Sequence, residues 1–217
     1  MSAPRVKVCG VMNHTDAALC AELGVDVIGF VVNYPTPVPW NIGPDQARQL
    51  ITALPTGQAS AIVVGGPPDD VVALGEALQP SFVQLHVPYP IAQTATITDQ
   101  LAKSGIGTIQ TVFPDTPDLD ETVAALSATA VHAILIDPRT PENAATGGPA
   151  DPGLYRRVAA AAAGKPVILA GGITPANAAA LVHATGASHI DVLSGVETAP
   201  GAKSRELLTA LLSAVNS

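Results

Sequence analysis

The sequence predicts a single (β/α)8 barrel, and three observations lead to this fold class. Eight short apolar runs alternate with eight segments of helical pattern along the 217 residues, and no segment is left over. The two runs that begin at residues 167 and 190 end in glycine-containing turns, which is where such barrels hold phosphate. Hydrophobic residues make up 47% of the chain and charged residues only 13%, which suits strands hidden behind helices.

The predicted strands are short apolar runs bounded by glycine, proline or polar residues, as expected for strands buried on both faces. They lie at residues 6–9, 27–32, 61–64, 82–86, 108–112 and 133–137, followed by the runs that begin at residues 167 and 190. Doubly wound sheets are the main alternative, but they rarely need eight strand–helix units in so few residues. We therefore predict one domain over residues 1–217.

Each predicted strand is followed by a predicted helix. The helices span residues 15–23, 91–103, 119–126, 175–185 and 204–215, and three further helices end at residues 53, 78 and 163. Gly24 ends the first helix, because glycine readily takes the left-handed conformation that closes a helix. The helix at 91–103 has the weakest pattern, since its threonines have low helix propensity.

Composition limits the functional class. The net charge of −8 argues against a nucleic-acid binder, which needs clustered Lys and Arg. Only two cysteines, Cys9 and Cys20, are present, so no disulfide framework is expected and a reducing cytoplasm fits best. The N-terminus lacks an apolar signal core, and no apolar stretch approaches the ~20 residues that cross a membrane. We expect a soluble cytoplasmic protein that binds neither membranes nor nucleic acid.

The last two glycine-containing turns form the predicted phosphate site. Gly171 and Gly172 follow the seventh strand, and Ser194 and Gly195 follow the eighth. Glycine lets backbone N–H groups approach a ligand, and a helix that starts nearby adds the positive end of its dipole. The sequence therefore favours an anionic, phosphorylated small molecule held by N–H groups rather than by a basic surface.

Two titratable residues end predicted strands on opposite sides of the barrel mouth. Cys9 ends the first strand and Asp137 the sixth, which is the arrangement that proton transfer to and from a small substrate requires. A buried cysteine is also a common core residue, and Asp137-Pro138 also suits a loop cap. His86 ends the fourth strand, where it either orients a ligand or has a structural role. The five histidines are scattered, so no metal site is expected.

Several motifs in register resemble the phosphoribosylanthranilate isomerase family over the whole chain. They are Lys7-x-Cys9-Gly10, Gly29-Phe30, Gln84-Leu85-His86, Asp137 before a Gly-Gly loop, Ala170-Gly171-Gly172-Ile173-Thr174-Pro175-x-Asn177, and Ser194-Gly195-Val196-Glu197. The resemblance implies a (β/α)8 enzyme that catalyses an Amadori rearrangement in tryptophan biosynthesis, as an aldose–ketose isomerase (an intramolecular oxidoreductase) without metal or organic cofactor.

The resemblance also implies roles for individual residues. Cys9 matches the general base that takes a proton from the sugar C2, and Asp137 matches the general acid that opens the furanose ring. The turns at Gly171-Gly172 and Ser194-Gly195 match those that hold the substrate phosphate. Further substrate contacts are assigned to Lys7, Gln84, His86 and Arg139. For Lys7 the residues themselves favour a side chain that points into the barrel and pairs with a carboxylate.

The chain departs from the family pattern after the second and sixth strands. The family carries Ser-Pro-Arg, whose arginine binds the anthranilate carboxylate, where this chain has Thr36-Pro37-Val38. Valine cannot replace the two charge-assisted hydrogen bonds of a guanidinium, so Arg139 is the candidate replacement. The family's Gly-Gly-Thr-Gly loop is Gly147-Gly148-Pro149-Ala150 here, and proline removes a backbone donor.

Three functions fit these observations. The first is the family reaction with a relocated carboxylate clamp, and the second is isomerisation of a different phosphorylated sugar or N-glycoside by the same acid and base. The third is a non-catalytic relative that binds a phosphorylated ligand. Retention of both Cys9 and Asp137 favours an enzyme, since a binding protein needs neither an acid nor a base. A monomer or a homodimer is expected.

Overall fold

A computed structural model describes residues 3–139 and 148–216 of the chain. Its strands are β1 (Arg5–Val8), β2 (Val27–Val32), β3 (Asn41–Ile42), β4 (Ala59–Val64), β5 (Phe82–Leu85), β6 (Gly107–Val112), β7 (Ala133–Ile136), β8 (Val167–Ala170), β9 (His189–Val192), β10 (Glu197–Ala199) and β11 (Ala202–Lys203). Its α-helices are α1 (His14–Glu22), α2 (Pro44–Thr52), α3 (Pro68–Leu78), α4 (Ile91–Lys103), α5 (Leu119–Ser127), α6 (Pro152–Ala161), α7 (Ala178–Thr185) and α8 (Arg205–Asn216).

Eight of the strands form a closed parallel barrel, which confirms the predicted fold class. The order is β1-β2-β4-β5-β6-β7-β8-β9, and β9 pairs with β1 to close the ring. One helix follows each barrel strand, so all eight strands end at the same face. That face brings together the predicted site residues at the ends of the first, fourth and sixth barrel strands.

Three short strands were not predicted. β3 extends the sheet beside β2, and β10 and β11 form an antiparallel pair that follows a 3-10 helix at Ser194–Val196. Each has only two or three residues, which is too short to show a periodic pattern in sequence. Their pairing depends on contacts with neighbouring elements instead.

Most predicted boundaries lie within one or two residues of the observed ones, and the largest difference is at α7. This helix begins at Ala178 rather than at Pro175. The reason is a turn before it, in which the Asn177 side chain accepts a hydrogen bond from the Thr174 N–H at 2.8 Å and donates one to the Gly172 carbonyl at 2.9 Å. The asparagine thus stabilises a loop conformation where the sequence pattern indicated the first helical turn.

Side chains fill the barrel interior in layers. A lower layer is formed by Ile109, Ala133, Leu135, Ile168 and Ala170. Above it, nearer the C-terminal ends of the strands, Cys9 packs with Val31 and Val63. The interior is therefore a packed core rather than a channel, and the residues at the C-terminal ends of the strands form its upper surface. No helix in the parts of the chain described above is long and apolar enough to span a membrane.

Candidate active site

Cys9 lies directly after β1, buried at the barrel mouth with 4% of its surface exposed. Gly29 on the neighbouring strand β2 makes room for it, because a Cβ at this position would lie 3.1 Å from the Cys9 Sγ and 3.2 Å from the Lys7 Cε. Burial raises the pKa of the Cys9 thiol, and the charge of Lys7 opposes this effect. The cysteine is therefore a thiol in the unliganded protein, with a cation beside it.

Lys7 points into the barrel and pairs with Asp191 of β9. The two residues are register partners across β1 and β9, and the Lys7 Nζ donates to Asp191 Oδ2 at 2.7 Å. Their side chains are only 4% and 10% exposed. A carboxylate partner for Lys7 was expected from sequence, although Asp191 was not identified. Direct contact between Lys7 and a substrate stays a prediction.

Asp137 lies directly after β7 and is held by Arg139. The guanidinium Nε donates to Asp137 Oδ1 at 3.0 Å and to Oδ2 at 2.9 Å, and its Nη2 donates to Oδ2 at 2.5 Å. The Arg139 backbone N–H also donates to Oδ1, at 2.9 Å. Burial alone would raise the pKa of Asp137, but the hydrogen bonds and charge of Arg139 outweigh it and lower this pKa. Asp137 is therefore ionised while Arg139 holds it.

His86 follows β5 and extends this network. Its pKa is lowered to about 4 because the ring is buried, although the charge of Asp137 works in the opposite direction. The ring is consequently neutral near pH 7. Its Nε2 lies 3.1 Å from the Arg139 Nη2, which can only donate, so Nε2 is the acceptor and Nδ1 carries the proton. That proton faces the Thr111 Oγ1 at 3.2 Å.

The Gln84 amide lies beneath the His86 ring. Its Nε2 is 3.4 Å from the His86 Nδ1, while its Oε1 is buried with no hydrogen-bond partner among residues 3–139 and 148–216. Exchanging the two amide positions would place Oε1 opposite the Nδ1 proton and so satisfy both groups. In either orientation the Gln84 amide contacts the His86 ring, and direct contact between Gln84 and a substrate stays a prediction.

An apolar surface covers one side of the mouth. It consists of Tyr34, Val38, Trp40 and Leu193, which pack against the layer that contains Cys9. We call these four residues the mouth cluster. Val38 occupies the place of the arginine in the Ser-Pro-Arg pattern, and it lies in this cluster. This part of the site is thus apolar and aromatic where the family pattern has a cation.

Trp40 is fixed by a buried ion pair. Its indole Nε1 donates to both carboxylate oxygens of Glu197, each at 3.1 Å. Glu197 also pairs with Lys203, whose Nζ lies 2.7 Å from Oε1 and donates to the backbone carbonyl of Cys9 at 2.6 Å. The Lys203 side chain is fully buried. One cation therefore ties the loop after β2 to the ends of β1 and β9.

The two predicted phosphate-binding turns are in contact. Gly171 and Gly172 have φ angles of 100° and 54°, which favour glycine. A Cβ on Gly195 would lie 1.8 Å from the carbonyl oxygen of Ile173, in the segment that follows the first turn. A 3-10 helix at Ser194–Val196 begins at the second turn, and phosphate binding by the two turns stays a prediction.

We expect Gly195→Ala to weaken phosphate binding at least ~10-fold, because the backbone of one turn must move away from the other to accommodate the methyl group. Isothermal titration with inorganic phosphate would measure this loss. Ser194→Ala is the matched control: it alters the adjacent residue but preserves the backbone, so it should reduce affinity far less. Equal affinities of wild type and Gly195→Ala would exclude these turns as the anion site.

Several site residues were not identified from sequence. Asp191 is the one acidic residue in β9, and its register with Lys7 was the available signal. Trp40 is the only tryptophan of the chain and lies in a proline-rich loop, which was a further signal. Lys203 gave no sequence signal, since its contact with the backbone carbonyl of Cys9 joins residues that are 194 positions apart. Gly147 of the loop after the sixth barrel strand lies outside the described residues.

Several titratable residues lie away from the site. His132 and His189 are at the N-terminal ends of β7 and β9, on the face opposite Cys9. Cys20 is buried in α1, and burial raises its pKa to about 12. Among residues 3–139 and 148–216, no group of three or more His, Cys, Asp or Glu side chains is arranged to hold a metal ion.

Comparison with known proteins agrees with this geometry. The family model for N-(5'-phosphoribosyl)anthranilate (PRA) isomerase matches residues 6–214. The PRA isomerase of Haloferax volcanii is 34% identical over 215 residues, covering 97% of this chain and 92% of the relative. That of Natronomonas pharaonis is 32% identical and covers 97% of each chain.

Solved structures show the same likeness. The crystal structure of the Thermus thermophilus enzyme is 31% identical and superimposes with a TM-score of 0.80, covering 97% of this chain and 98% of that one. The Thermotoga maritima enzyme is 28% identical, with a TM-score of 0.82 and 98% of each chain covered. A PRA isomerase bound to reduced 1-(o-carboxyphenylamino)-1-deoxyribulose 5-phosphate is 26% identical, with a TM-score of 0.78 and 98% of each chain covered. With a family model that spans nearly its whole length, this chain belongs to the PRA isomerase family.

Proposed function

We propose that this protein is an aldose–ketose isomerase that converts N-(5'-phosphoribosyl)anthranilate into 1-(o-carboxyphenylamino)-1-deoxyribulose 5-phosphate in tryptophan biosynthesis. The observation that carries the proposal is the placement of Cys9 and Asp137 in one barrel mouth, beside the paired turns at Gly172 and Gly195. A thiol and a carboxyl group at a phosphate-anchored sugar are the acid and base that this rearrangement needs. Membership of the family supports the same substrate.

The reaction requires balanced proton transfers. Asp137, once protonated, gives its proton to the ring oxygen as the C1–O bond breaks, and the nitrogen lone pair forms an iminium group. Cys9 first loses its thiol proton to solvent and, as a thiolate, then takes the C2 proton. The C–H electrons form the C1=C2 bond, and the electrons of the C1=N double bond return to the nitrogen and neutralise it. Loss of the enol proton and protonation of C1 give the aminoketose, which has the same atoms as the substrate.

Arg139 has two roles in this scheme. In the unliganded protein it keeps Asp137 ionised, and an ionised carboxylate cannot donate a proton. The anthranilate carboxylate offers Arg139 an equivalent partner for bidentate hydrogen bonding. We propose that the substrate carboxylate replaces Asp137 as the hydrogen-bond partner of Arg139. Asp137 then becomes protonated because it has lost its neighbouring cation. Arg139 is 31% exposed in its side chain and has access to the mouth.

The mouth cluster favours a second candidate substrate. Val38, Tyr34 and Trp40 present an apolar surface where the family pattern has its carboxylate-binding arginine. An N-glycoside or other phosphorylated sugar with an uncharged aromatic or aliphatic group fits such a surface better than a carboxylate does. The same acid and base would act on it.

Rescue of a tryptophan auxotroph that lacks this isomerase tests the proposal in cells, with turnover measured by NMR on purified protein. Substrate deuterated at C2 should lose its label as product forms, because Cys9 removes that hydrogen. Fluorescence of Trp40, the only tryptophan, reports binding at the mouth independently of turnover. Rescue together with turnover supports the family reaction, whereas a fluorescence response without turnover would indicate a non-catalytic ligand-binding protein.

A further inference from the structure

The buried charges around Cys9 form a compact set. Lys7 precedes Cys9 by two residues on β1, so both side chains point to the barrel interior. Asp191 lies directly across from Lys7 on β9. Gly29 completes the arrangement, because its missing side chain leaves the space that the Cys9 Sγ and the Lys7 stem share. The lysine is thus positioned between a carboxylate and a thiol.

The charge balance of this set depends on the protonation of Cys9. With the thiol protonated, Lys7 and Asp191 sum to zero, and their 2.7 Å contact satisfies the ammonium. Loss of the Cys9 proton leaves one negative charge in excess within the barrel. Lys7 stabilises that charge while Asp191 opposes it. The carboxylate oxygen Oδ1 has no hydrogen-bond partner in the described residues, so Lys7 is the one cation bonded to Asp191 there.

We propose that the Lys7–Asp191 pair sets the proton affinity of Cys9, with both acting as positioning residues rather than as substrate ligands. Lys7 favours the thiolate and so lowers its basicity. Asp191 offsets this effect and restores basicity, so the pair matches Cys9 to abstraction of a carbon-bound proton. Because Cys9 is the base in the function proposed above, this inference rests on that function.

Two further ion pairs lie near Cys9, Lys203–Glu197 and Arg139–Asp137. Lys203 donates to the Cys9 backbone carbonyl and favours the thiolate, but its charge is balanced by Glu197. Arg139 is also within electrostatic reach of Cys9, and its charge is balanced by Asp137. The Lys7–Asp191 pair differs from these two pairs because it lies on the strands that flank Cys9 inside the barrel.

The test uses two substitutions with opposite expected effects, in the full chain carrying Cys20→Ala so that a single thiol remains. Lys7→Met should lower the thiolate fraction at neutral pH, and thereby the rate of Cys9 alkylation by iodoacetamide, about 10-fold. Asp191→Asn should raise the same rate by a similar factor. The acidic limb of the kcat/KM profile should move to higher pH in the first variant and to lower pH in the second. A purely structural role would slow turnover in both variants without moving the thiol titration in opposite directions.

The double variant Lys7→Met/Asp191→Asn is the control for misfolding, because it removes both buried charges together and leaves neither one unpaired. Its alkylation rate should lie between those of the two single variants. Alkylation profiles that coincide in wild type and all three variants would overturn the inference. The readout needs no substrate, so it also separates the two proposals: displaced profiles without turnover would refute the proposed function alone, and turnover with unmoved profiles would refute this inference alone.

Discussion

Cys9→Ala and Asp137→Asn should each lower turnover of phosphoribosylanthranilate by ~10²-fold or more, which is the usual contribution of a positioned acid or base. The reason differs between the two. Alanine removes the group that accepts the C2 proton, whereas asparagine keeps the shape of Asp137 but cannot supply a proton to the ring oxygen. Both should leave the affinity for the product nearly unchanged, because proton transfer acts in the transition state. Steady-state kinetics and a Trp40 fluorescence titration measure these two quantities separately.

Cys20→Ala provides the matched control for Cys9→Ala. Cys20 is also fully buried and has a strongly raised pKa, but it lies within α1 and points away from the mouth. We expect turnover close to that of wild type for this variant. Near-normal turnover of Cys9→Ala would exclude Cys9 as the base.

The sequence predicts the fold well because the barrel depends on local signals. The run at Val27–Val32 and the helix at Ile91–Lys103 have the predicted boundaries, since apolar continuity and helical periodicity are properties of short segments. β3 and the pair β10 and β11 were missed because two or three residues show no periodicity. Their positions depend on side-chain hydrogen bonds that no periodicity shows, between Asn41 and the Tyr34 backbone and between Lys203 and both Glu197 and the Cys9 carbonyl.

The sequence predicts site residues where a titratable side chain stands at the end of a strand. Cys9 and Asp137 could be placed at the mouth in this way, because all parallel strands of a barrel end at one face. The ion pairs and hydrogen bonds around these two residues could not be predicted in this way. That Arg139 would fold back on Asp137, or that Trp40 would bond Glu197, depends on side-chain directions set by tertiary packing. The contact with Arg139 lowers the pKa of Asp137, so the chemistry of the site could not be predicted without the structure.

The recognition of the substrate carboxylate can be tested with Arg139→Ala. If Arg139 binds the carboxylate, this variant loses a charge-assisted hydrogen bond worth roughly 1.5–3 kcal/mol. That loss corresponds to about 10- to 100-fold in affinity, and KM should rise accordingly. Arg139→Lys is the matched variant, since it keeps the charge but loses the planar fork, and it should give an intermediate KM.

The same substitution should change the pH dependence in a defined direction. Arg139 lowers the pKa of Asp137, so Arg139→Ala should raise that pKa in the unliganded protein. A general acid must be protonated, and a higher pKa keeps it protonated to higher pH. The alkaline limb of kcat/KM should therefore move to higher pH although KM is poorer. An Arg139 that only stabilises the loop would affect KM without this displacement.

Val38→Arg tests whether the mouth cluster has lost a carboxylate-binding residue that Arg139 does not replace. If the mouth cluster has lost a clamp that Arg139 does not replace, arginine at position 38 should improve turnover of phosphoribosylanthranilate, and Arg139→Ala should have little effect. If Arg139 is the clamp, Arg139→Ala should raise KM sharply, and Val38→Arg should help less because it brings a buried cation next to Trp40 and Leu193. If the wild type turns over phosphoribosylanthranilate efficiently and neither substitution alters this, carboxylate recognition by Arg139 or at position 38 is refuted. Neither residue would then supply the positive charge that the carboxylate requires.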